Sequence, residues 1–165
     1  MKSQKEVLIR KVRSIIDEIY PRVFRKEVIM IEGADEILKK IAARGMKIGL
    51  VTSTPRAFLE DKLHPLKRAG IGDLFEVIIT TDDIQNRKPA AEPLIECGKR
   101  LGVNRDKIVY VGDTRIDMRA GHAAGMKTVG VLTGNDPYHD LITENPEAVI
   151  QSVGELSKVI PLYLK

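Results

Sequence analysis

Cysteine and aromatic residues are scarce in this 165-residue sequence, which has one cysteine, no tryptophan and 4% aromatic residues in all. The single cysteine, Cys97, excludes an internal disulfide, and its place in a helical pattern predicts a buried side chain rather than a nucleophile. Because aromatic residues are few, aliphatic side chains must fill the core. No apolar run approaches the ~18 residues of a membrane span, and no signal-peptide pattern is present, so we expect a cytoplasmic protein.

Even the most basic segment of the chain carries charges of both signs. The net charge is +4, and the most basic stretch, residues 2–26, also carries Glu6, Asp17 and Glu18. A nucleic-acid surface needs basic side chains on one face, ideally with aromatic residues that stack on bases. We therefore interpret this stretch as a solvated helix face and expect neither nucleic acid nor a membrane as a partner.

The apolar pattern predicts helices and strands that alternate along most of the chain. Residues 7–19 have helical periodicity, with Pro21 expected to end the helix, and residues 34–44 repeat the pattern before Gly45. From residue 47 onward the alternation has βαβ spacing, which implies an α/β fold in three layers with a mostly parallel sheet. The predicted strands are 46–51, 75–80, 108–112, 128–132 and 148–150, and the later predicted helices are 57–69, 91–101, 116–124 and 153–160.

Polar residues follow three of the predicted strands, at 52–54, 80–83 and 112–114. Ligands bind at the carboxyl ends of the strands in such sheets. Asp113 ends one strand and Asp117 lies one helical turn further, so both carboxylates can face one crevice. This spacing suits Mg²⁺, which takes one or two carboxylates and leaves its other positions to water and phosphate. It also suits a helix cap, and the spacing alone does not decide between the two.

Thr52, Ser53 and Lys88 are the candidate phosphate-binding residues. Thr52 and Ser53 follow a strand and precede a helix, where hydroxyls and backbone N–H groups can hold an anion, although such residues are also common helix caps. Lys88 precedes Pro89 in a loop, where its ammonium can neutralise a phosphoryl oxygen, although a single loop lysine is usually solvated. Each of these residues alone is weak evidence for a phosphate site. Their order along the chain is more specific evidence.

This order resembles that of the haloacid dehalogenase-like hydrolase superfamily and, within it, the phosphoglycolate phosphatase-like branch with a helical cap. The resemblance runs from Ile31 to about Ile160. It implies a Rossmann-like core domain over residues 31–165 and a remnant of the helical cap over residues 1–30. The matching segments are Ile31–Leu38, Lys47–Thr52, Arg87–Pro93, Val111–Asp117 and Ala120–Met126.

The resemblance also implies an activity, the Mg²⁺-dependent hydrolysis of phosphate monoesters through an aspartyl-phosphate. Thr52 and Lys88 would be the catalytic residues of this chain, since they would hold the non-bridging oxygens, with Ser53 beside them in the phosphate site. Asp113 and Asp117 would be the metal-binding residues. Asp117 would support the water molecules around the metal or would orient Lys88.

The family's first motif, Asp-x-Asp-Gly-Thr, does not occur in the 165 residues. The first 30 residues contain one aspartate, Asp17, on the polar side of a predicted helix, and we do not expect it to be a nucleophile. In the family, the nucleophile strand lies between the strands that end here at Thr52 and Asp113. Its absence predicts either that these two strands pair directly or that another strand fills the slot, from a second polypeptide or from residues 27–31.

Two functions remain open. A phosphatase-family polypeptide that is inactive alone would act on a small phosphorylated metabolite once a first strand completes it, in a homo- or hetero-oligomer. A non-catalytic phosphate-binding or protein-interaction module would keep the anion site without the reaction. A receiver-type signalling domain fits poorly, because its acidic pair precedes the hydroxyl and the lysine, whereas Asp113 comes last here. In the turn-rich loop 133–140, Asn135 and Asp136 are weaker candidates for contact with substrate.

Overall fold

A computed structural model describes residues 4–26 and 28–163, which form an α/β fold with parallel strands, as the sequence predicts. The five strands of this described part are β1 (Ile48–Val51), β2 (Phe75–Ile79), β3 (Val109–Gly112), β4 (Lys127–Val131) and β5 (Ala148–Ile150). Its seven α-helices are α1 (Gln4–Lys26), α2 (Ala34–Ala43), α3 (Leu59–Arg68), α4 (Glu92–Leu101), α5 (Arg115–Ala123), α6 (Tyr138–Leu141) and α7 (Leu156–Tyr163). None of these helices is long and apolar enough to cross a membrane.

α1 does not end at Pro21, so that prediction is wrong, and the helix continues to Lys26. Proline has a φ angle that suits a helix, and it removes one backbone hydrogen bond, here the bond to the carbonyl of Asp17. Because α1 is exposed around Asp17, water can satisfy that carbonyl. α1 packs against α3, where the rings of Tyr20 and Phe58 lie 4.8 Å apart, and its apolar side chains are largely exposed.

The strands form two sheets rather than one. β1 pairs with β2 in parallel, with Val51 opposite Ile79. β3, β4 and β5 form a second parallel sheet, in which Gly112 lies opposite Gly130. β1 and β3 therefore each have one edge that pairs with no other strand of the described residues. We call the space between these two edges the β1–β3 gap.

Within residues 4–26 and 28–163, neither direct pairing of β1 with β3 nor a strand from residues 28–31 closes this gap, so these two predictions are wrong for the described residues. β1 and β3 do not pair with each other. Residues 28–31 form no strand, and Glu27, the first residue of that predicted segment, lies outside the described residues. A strand from a second polypeptide stays a prediction.

α4 packs against both sheets. At Gly49 in β1, an added Cβ would lie 2.4 Å from Cys97 Sγ, so α4 lies directly against β1. At Gly98 in α4, an added Cβ would lie 2.7 Å from Cδ1 of Ile108, the residue before β3. Leu94 of α4 packs in one apolar cluster with side chains of both strands. α4 therefore bridges the two sheets beside the β1–β3 gap.

The three-stranded sheet is covered on both faces, which gives three layers there. α2 and α7 pack on one face through an aliphatic cluster, and α5 packs on the other. Side chains alternate between the faces of a strand. Val109 and Val111 therefore join the aliphatic cluster, while Tyr110 points to the side of α4 and α5. Cys97 is buried in α4, as predicted, and burial raises the pKa of its thiol to about 11.

Candidate functional site

The carboxyl ends of β1 and β3 bring the predicted site residues to one edge of the two sheets. Thr52 follows β1, and its N–H donates to the last carbonyl of β2 at 2.9 Å, which anchors it at the strand end. Asp113 follows β3, and Asp117 lies in the first turn of α5. Lys88 reaches this edge from the loop before α4, and the peptide bond that follows it is cis.

Lys88 and Asp117 form an ion pair within this site. The Lys88 ammonium lies 2.7 Å from Asp117 Oδ1 and donates to the hydroxyl of Tyr110 at 3.1 Å. The Tyr110 hydroxyl in turn donates to Asp117 Oδ1 at 2.9 Å. Burial and the charge of Asp117 raise the pKa of Tyr110, so its phenol stays protonated and can make this bond. The three side chains together hold the Lys88 ammonium in one place at the end of β3.

Asp117 also caps α5. Its Oδ2 accepts hydrogen bonds from the Thr114 N–H at 3.2 Å and from the Thr114 hydroxyl at 2.7 Å, while the Asp117 N–H donates to Thr114 Oγ1 at 3.1 Å. This arrangement is a capping box at the start of α5. Burial raises the pKa of Asp117, but the charge of Lys88 and the hydrogen bonds outweigh it, and the pKa lies below its usual value. The geometry thus supports the role in which Asp117 orients Lys88, and a role as metal ligand stays a prediction.

Asp113 is held by the loop that follows β4. Its Oδ2 accepts a hydrogen bond from the Asn135 N–H at 3.0 Å, and its carbonyl accepts one from the Asp136 N–H at 3.1 Å. Gly134 allows this approach, because a Cβ there would lie 2.0 Å from Asp113 Oδ2. Asp136 accepts a further hydrogen bond from the N–H of Arg115 at 2.7 Å. Asn135 and Asp136 therefore position Asp113 and the start of α5, and their contact with substrate stays a prediction.

Thr52 belongs to a small cluster of polar side chains together with Thr54 and Lys62. Thr52 and Thr54 are 7% and 8% exposed. The Lys62 ammonium, which comes from α3, lies 3.1 Å from Thr52 Oγ1 and 3.0 Å from Thr54 Oγ1, and the two hydroxyls are 3.0 Å apart. Ser53, in contrast, is exposed, and its role in phosphate binding stays a prediction.

Electrostatic interactions connect this cluster with Lys88 and Asp113. Burial lowers the pKa of Lys62, the positive charge of Lys88 lowers it further, and the negative charge of Asp113 opposes the shift. Lys62 is thus near enough for the charges of Lys88 and Asp113 to act on it, and we group the two ammonium groups and two carboxylates at the ends of β1 and β3 as one candidate site. We call it the strand-end site, and its residues are Thr52, Lys62, Lys88, Asp113 and Asp117.

The polar residues that follow β2 are used in a separate network. Asp83 accepts hydrogen bonds from the N–H and the hydroxyl of Thr80, and it forms ion pairs with Arg56 and Arg100. Hydrogen bonds from Thr80, together with these ion pairs, lower the pKa of Asp83 to about 2. Asp82 accepts a hydrogen bond from the N–H of Arg56 at 2.6 Å. This network joins the loops after β1 and β2 to α4. The polar residues 80–83, which follow β2, therefore contribute to structure rather than to the strand-end site.

Asp113 fits a Mg²⁺ ion that keeps most of its ligands as water and phosphate. Mg²⁺ prefers hard oxygen ligands and is usually bound through one or two protein carboxylates. The residues in the described part of the chain bring no group of three or more acidic, histidine or cysteine side chains together. The donor set therefore suits an ion that Asp113 shares with a phosphate oxygen or with one further carboxylate.

Lys62, Thr54 and Tyr110 are site residues that sequence reasoning missed. Lys62 lies ten residues after Thr52, and no local spacing connects a lysine in α3 with the end of β1. Thr54 looks like an ordinary residue of the turn before Pro55. Tyr110 has the pattern of a core residue in an apolar strand. The alternation along β3 is the signal that places Tyr110 on the same face as α5.

Comparison with known proteins agrees with this fold. A family model described as haloacid dehalogenase-like hydrolase matches residues 1–131. The chain belongs to this family. It is 31% identical over 157 residues to the phosphoglycolate phosphatase of Escherichia coli (strain K12), in an alignment that covers 95% of this chain. The chain spans 61% of the length of that curated relative.

Solved structures have the same fold. A hydrolase from Pseudomonas syringae matches with a TM-score of 0.82 at 22% identity, over 98% of this chain and 72% of that one. A phosphonoacetaldehyde hydrolase-like protein from Oleispira antarctica matches with a TM-score of 0.82 at 20% identity, over 98% of this chain and 66% of that one. Because both identities are low, these two likenesses concern the fold alone.

Proposed function

We propose that the strand-end site binds the phosphoryl group of a small phosphorylated metabolite and that the chain forms part of a Mg²⁺-dependent phosphatase. The observation that carries this proposal is the ammonium of Lys88, which Asp117 and Tyr110 hold at the end of β3. A fixed ammonium with a free N–H is suited to the charge of a transferring phosphoryl group. The similarity to a phosphoglycolate phosphatase supports the same proposal.

Four residues of the strand-end site have a task in this proposal. Lys88 holds a non-bridging phosphoryl oxygen, and Thr52 holds another when its O–H turns from Thr54 to the anion, with Ser53 beside them. Asp113 holds Mg²⁺, which, when bound, neutralises charge on the phosphoryl oxygens. Asp117 keeps the Lys88 ammonium aligned, so little side-chain freedom is lost when the anion binds.

The proposal also holds that the chain alone does not hydrolyse phosphate esters. The aspartyl-phosphate route needs a carboxylate nucleophile, and the strand-end site uses its two carboxylates, Asp113 and Asp117, in other roles. A strand in the β1–β3 gap would end at the same edge and would bring a further carboxylate there. Unpaired strand edges accept such a strand readily. We propose that another polypeptide segment supplies it, in a homo- or hetero-oligomer.

A division of the chain into two parts belongs to the same proposal. Residues 1–30 are a remnant of a helical cap, and residues 31–165 are the core. The support for this division is that α1 leaves its apolar side chains largely exposed, whereas α2 contributes buried residues to the aliphatic cluster. The cytoplasmic location expected from the sequence is also proposed here.

A non-catalytic phosphate-binding module is the second candidate function. It is favoured because Thr52, Lys62 and Lys88 are in place in the described structure without a nucleophile. Such a module would bind phosphate and would use its open strand edges for a protein partner. It differs from the first candidate in that no added polypeptide converts phosphate binding into turnover.

Hydrolysis of p-nitrophenyl phosphate in the presence of Mg²⁺, combined with calorimetry of inorganic phosphate binding, tests the proposal. We expect phosphate to bind without turnover above the buffer rate, and Lys88→Met to weaken binding. Lys40→Met is the matched control, because Lys40 lies exposed in α2 and pairs with Glu36.

Three outcomes bear on the proposal. Phosphate binding without turnover supports the anion site and fits both candidate functions, which differ in whether an added polypeptide brings turnover. Turnover by the purified chain that Lys88→Met abolishes would keep the phosphatase and refute its inactivity alone. Robust turnover that survives both Lys88→Met and Asp113→Asn would contradict the assignment of the strand-end site.

A further inference from the structure

Lys62 is a cation of the strand-end site for which the sequence motifs assign no role. Its half-buried ammonium lies 3.1 Å from Thr52 Oγ1 and 3.0 Å from Thr54 Oγ1. No carboxylate within residues 4–26 and 28–163 forms an ion pair with it. Two neutral hydroxyls accept hydrogen bonds from two of its three N–H groups, but they do not neutralise its charge. A charge withdrawn from water is costly until it is paired.

Counting hydrogen bonds shows which donors of this cluster are free. Thr52 Oγ1 accepts from the Lys62 ammonium and from the Thr54 N–H, so both of its lone pairs are used and its own O–H donates to Thr54. Thr54 Oγ1 accepts from Thr52 and from Lys62, and its own O–H meets no acceptor among the described residues. The ammonium of Lys62 has three N–H groups and uses two of them. One N–H of Lys62 and the O–H of Thr54 are therefore available to an anion.

The charges of the site favour an anion close to Lys62. Lys88 has a counter-ion in Asp117, at 2.7 Å, whereas Lys62 has hydroxyl partners. Burial lowers the pKa of Lys62, and the charge of Lys88 lowers it further. A dianionic phosphoryl group near both ammoniums would be attracted by each of them and would favour the charged form of Lys62.

We propose that Lys62 is a second phosphate-binding residue, which donates its free N–H to a phosphoryl oxygen from the β1 side of the strand-end site while Lys88 donates from the β3 side. Thr54 adds its O–H beside Lys62, and Thr52 fixes the positions of both. The ligand is inorganic phosphate or a phosphate monoester in its dianionic form. This inference rests on the proposed function, because it needs a phosphoryl group in the strand-end site.

Calorimetry of inorganic phosphate binding with Mg²⁺ at pH 7 tests the role of Lys62. Lys62→Met should raise the Kd about tenfold or more, which is the loss expected for one hydrogen bond to a charged group. Lys62→Arg keeps the positive charge and should retain most of the affinity. Lys67→Met is the matched control, because Lys67 lies exposed on the same helix and pairs with Glu60. Urea midpoints of all variants show whether each is folded.

A second measurement on the unmodified protein separates binding from a structural role. NMR of the lysine ammonium groups reports the pKa of Lys62, with its signal assigned from the spectrum of Lys62→Arg. Phosphate should raise this pKa if the anion contacts the ammonium. A lysine that only holds Thr52 and Thr54 in place would keep the same pKa when phosphate binds. This measurement does not depend on whether Lys62→Met folds.

The experiments distinguish a failure of the Lys62 proposal from a failure of the proposed function. If Lys88→Met weakens phosphate binding, Lys62→Met does not, and the pKa of Lys62 is unmoved, Lys62 is not a phosphate-binding residue and the strand-end site stands. If the wild-type chain binds no phosphate at all, both are wrong. A rise in Kd for Lys62→Met but not for Lys67→Met, together with a raised pKa, supports the inference.

Discussion

The Lys88 ammonium lies 2.7 Å from Asp117 Oδ1, and the two side chains are only 14% and 7% exposed. Asp117 is bound in turn by Tyr110 and by Thr114. The position of the Lys88 ammonium is therefore set by the first turn of α5 and the end of β3, although Lys88 itself lies in a loop. An anion that meets this ammonium finds it already oriented, which lowers the entropic cost of binding.

Removal of the charge of one partner of the Lys88–Asp117 pair should destabilise the fold strongly. Asp117→Asn keeps the shape of the side chain but removes its charge, and it leaves a largely buried ammonium without a counter-ion. We expect a loss of about 3 kcal/mol in the free energy of unfolding, since breaking one partner of a buried pair has this cost. Urea unfolding at pH 7 measures it. Asp35→Asn, which breaks an exposed pair with Lys39 in α2, should change stability little.

The pH dependence of this effect has a definite sign. The pKa of Asp117 is lowered from its ordinary value of 3.8. A group with a lowered pKa in the folded state stabilises it fully above the unfolded pKa, and the contribution is lost as pH falls through the folded pKa. Urea unfolding of wild type and Asp117→Asn between pH 3 and pH 6 should give a constant difference above about pH 5 that shrinks below about pH 4. A difference that grows as pH falls would contradict this explanation.

Gly134→Ala should disturb Asp113 directly. An added Cβ would lie 2.0 Å from Asp113 Oδ2 and 2.2 Å from Asp113 Cβ, so the carboxylate or the loop must move. We expect a loss of about 1–3 kcal/mol in the free energy of unfolding, together with weaker Mg²⁺ binding in calorimetry. Gly154→Ala is the control, because its Cβ would meet its nearest neighbour at 3.4 Å, an ordinary contact. Equal stability of the two variants would show that Asp113 is not held as described.

The close contact of α4 with β1 should appear as an energetic coupling. Gly49→Ala places a Cβ 2.4 Å from Cys97 Sγ, and we expect it to cost about 1–3 kcal/mol. Cys97→Ala removes the sulfur, so the cost of Gly49→Ala should be smaller in that background by about 1 kcal/mol. Urea unfolding of the two single variants and the double variant measures the coupling. Costs that simply add would mean that α4 is not packed tightly against β1.

Much of the fold could be predicted because the spacing of apolar residues along the sequence shows which side chains are buried. The parallel strands and the helices between them follow from local apolar patterns. Thr52 and Asp113 could be placed at one edge, since the carboxyl ends of parallel strands meet there. Lys88 depended on the motif order, because no periodic pattern points a loop lysine toward a strand end.

The remaining features depend on packing between distant segments. Gly49 and Gly98 are small residues in a strand and a helix, and only the folded chain shows that they let α4 contact both sheets. Lys62 reaches Thr52 because of where α3 lies, which no spacing along the sequence reports. Pro21 was expected to end α1 from its local chemistry, but the exposed setting of the helix tolerates the lost hydrogen bond.

Backbone NMR during a titration with inorganic phosphate and Mg²⁺ bears most directly on the claim that the ends of β1 and β3 form one anion-binding site. The amide signals of Thr52, Lys88 and Asp113 should move together and give one dissociation constant, while signals from α1 stay in place. Shifts at only one strand end, shifts that saturate at different phosphate concentrations, or no shifts at these residues would contradict a single site.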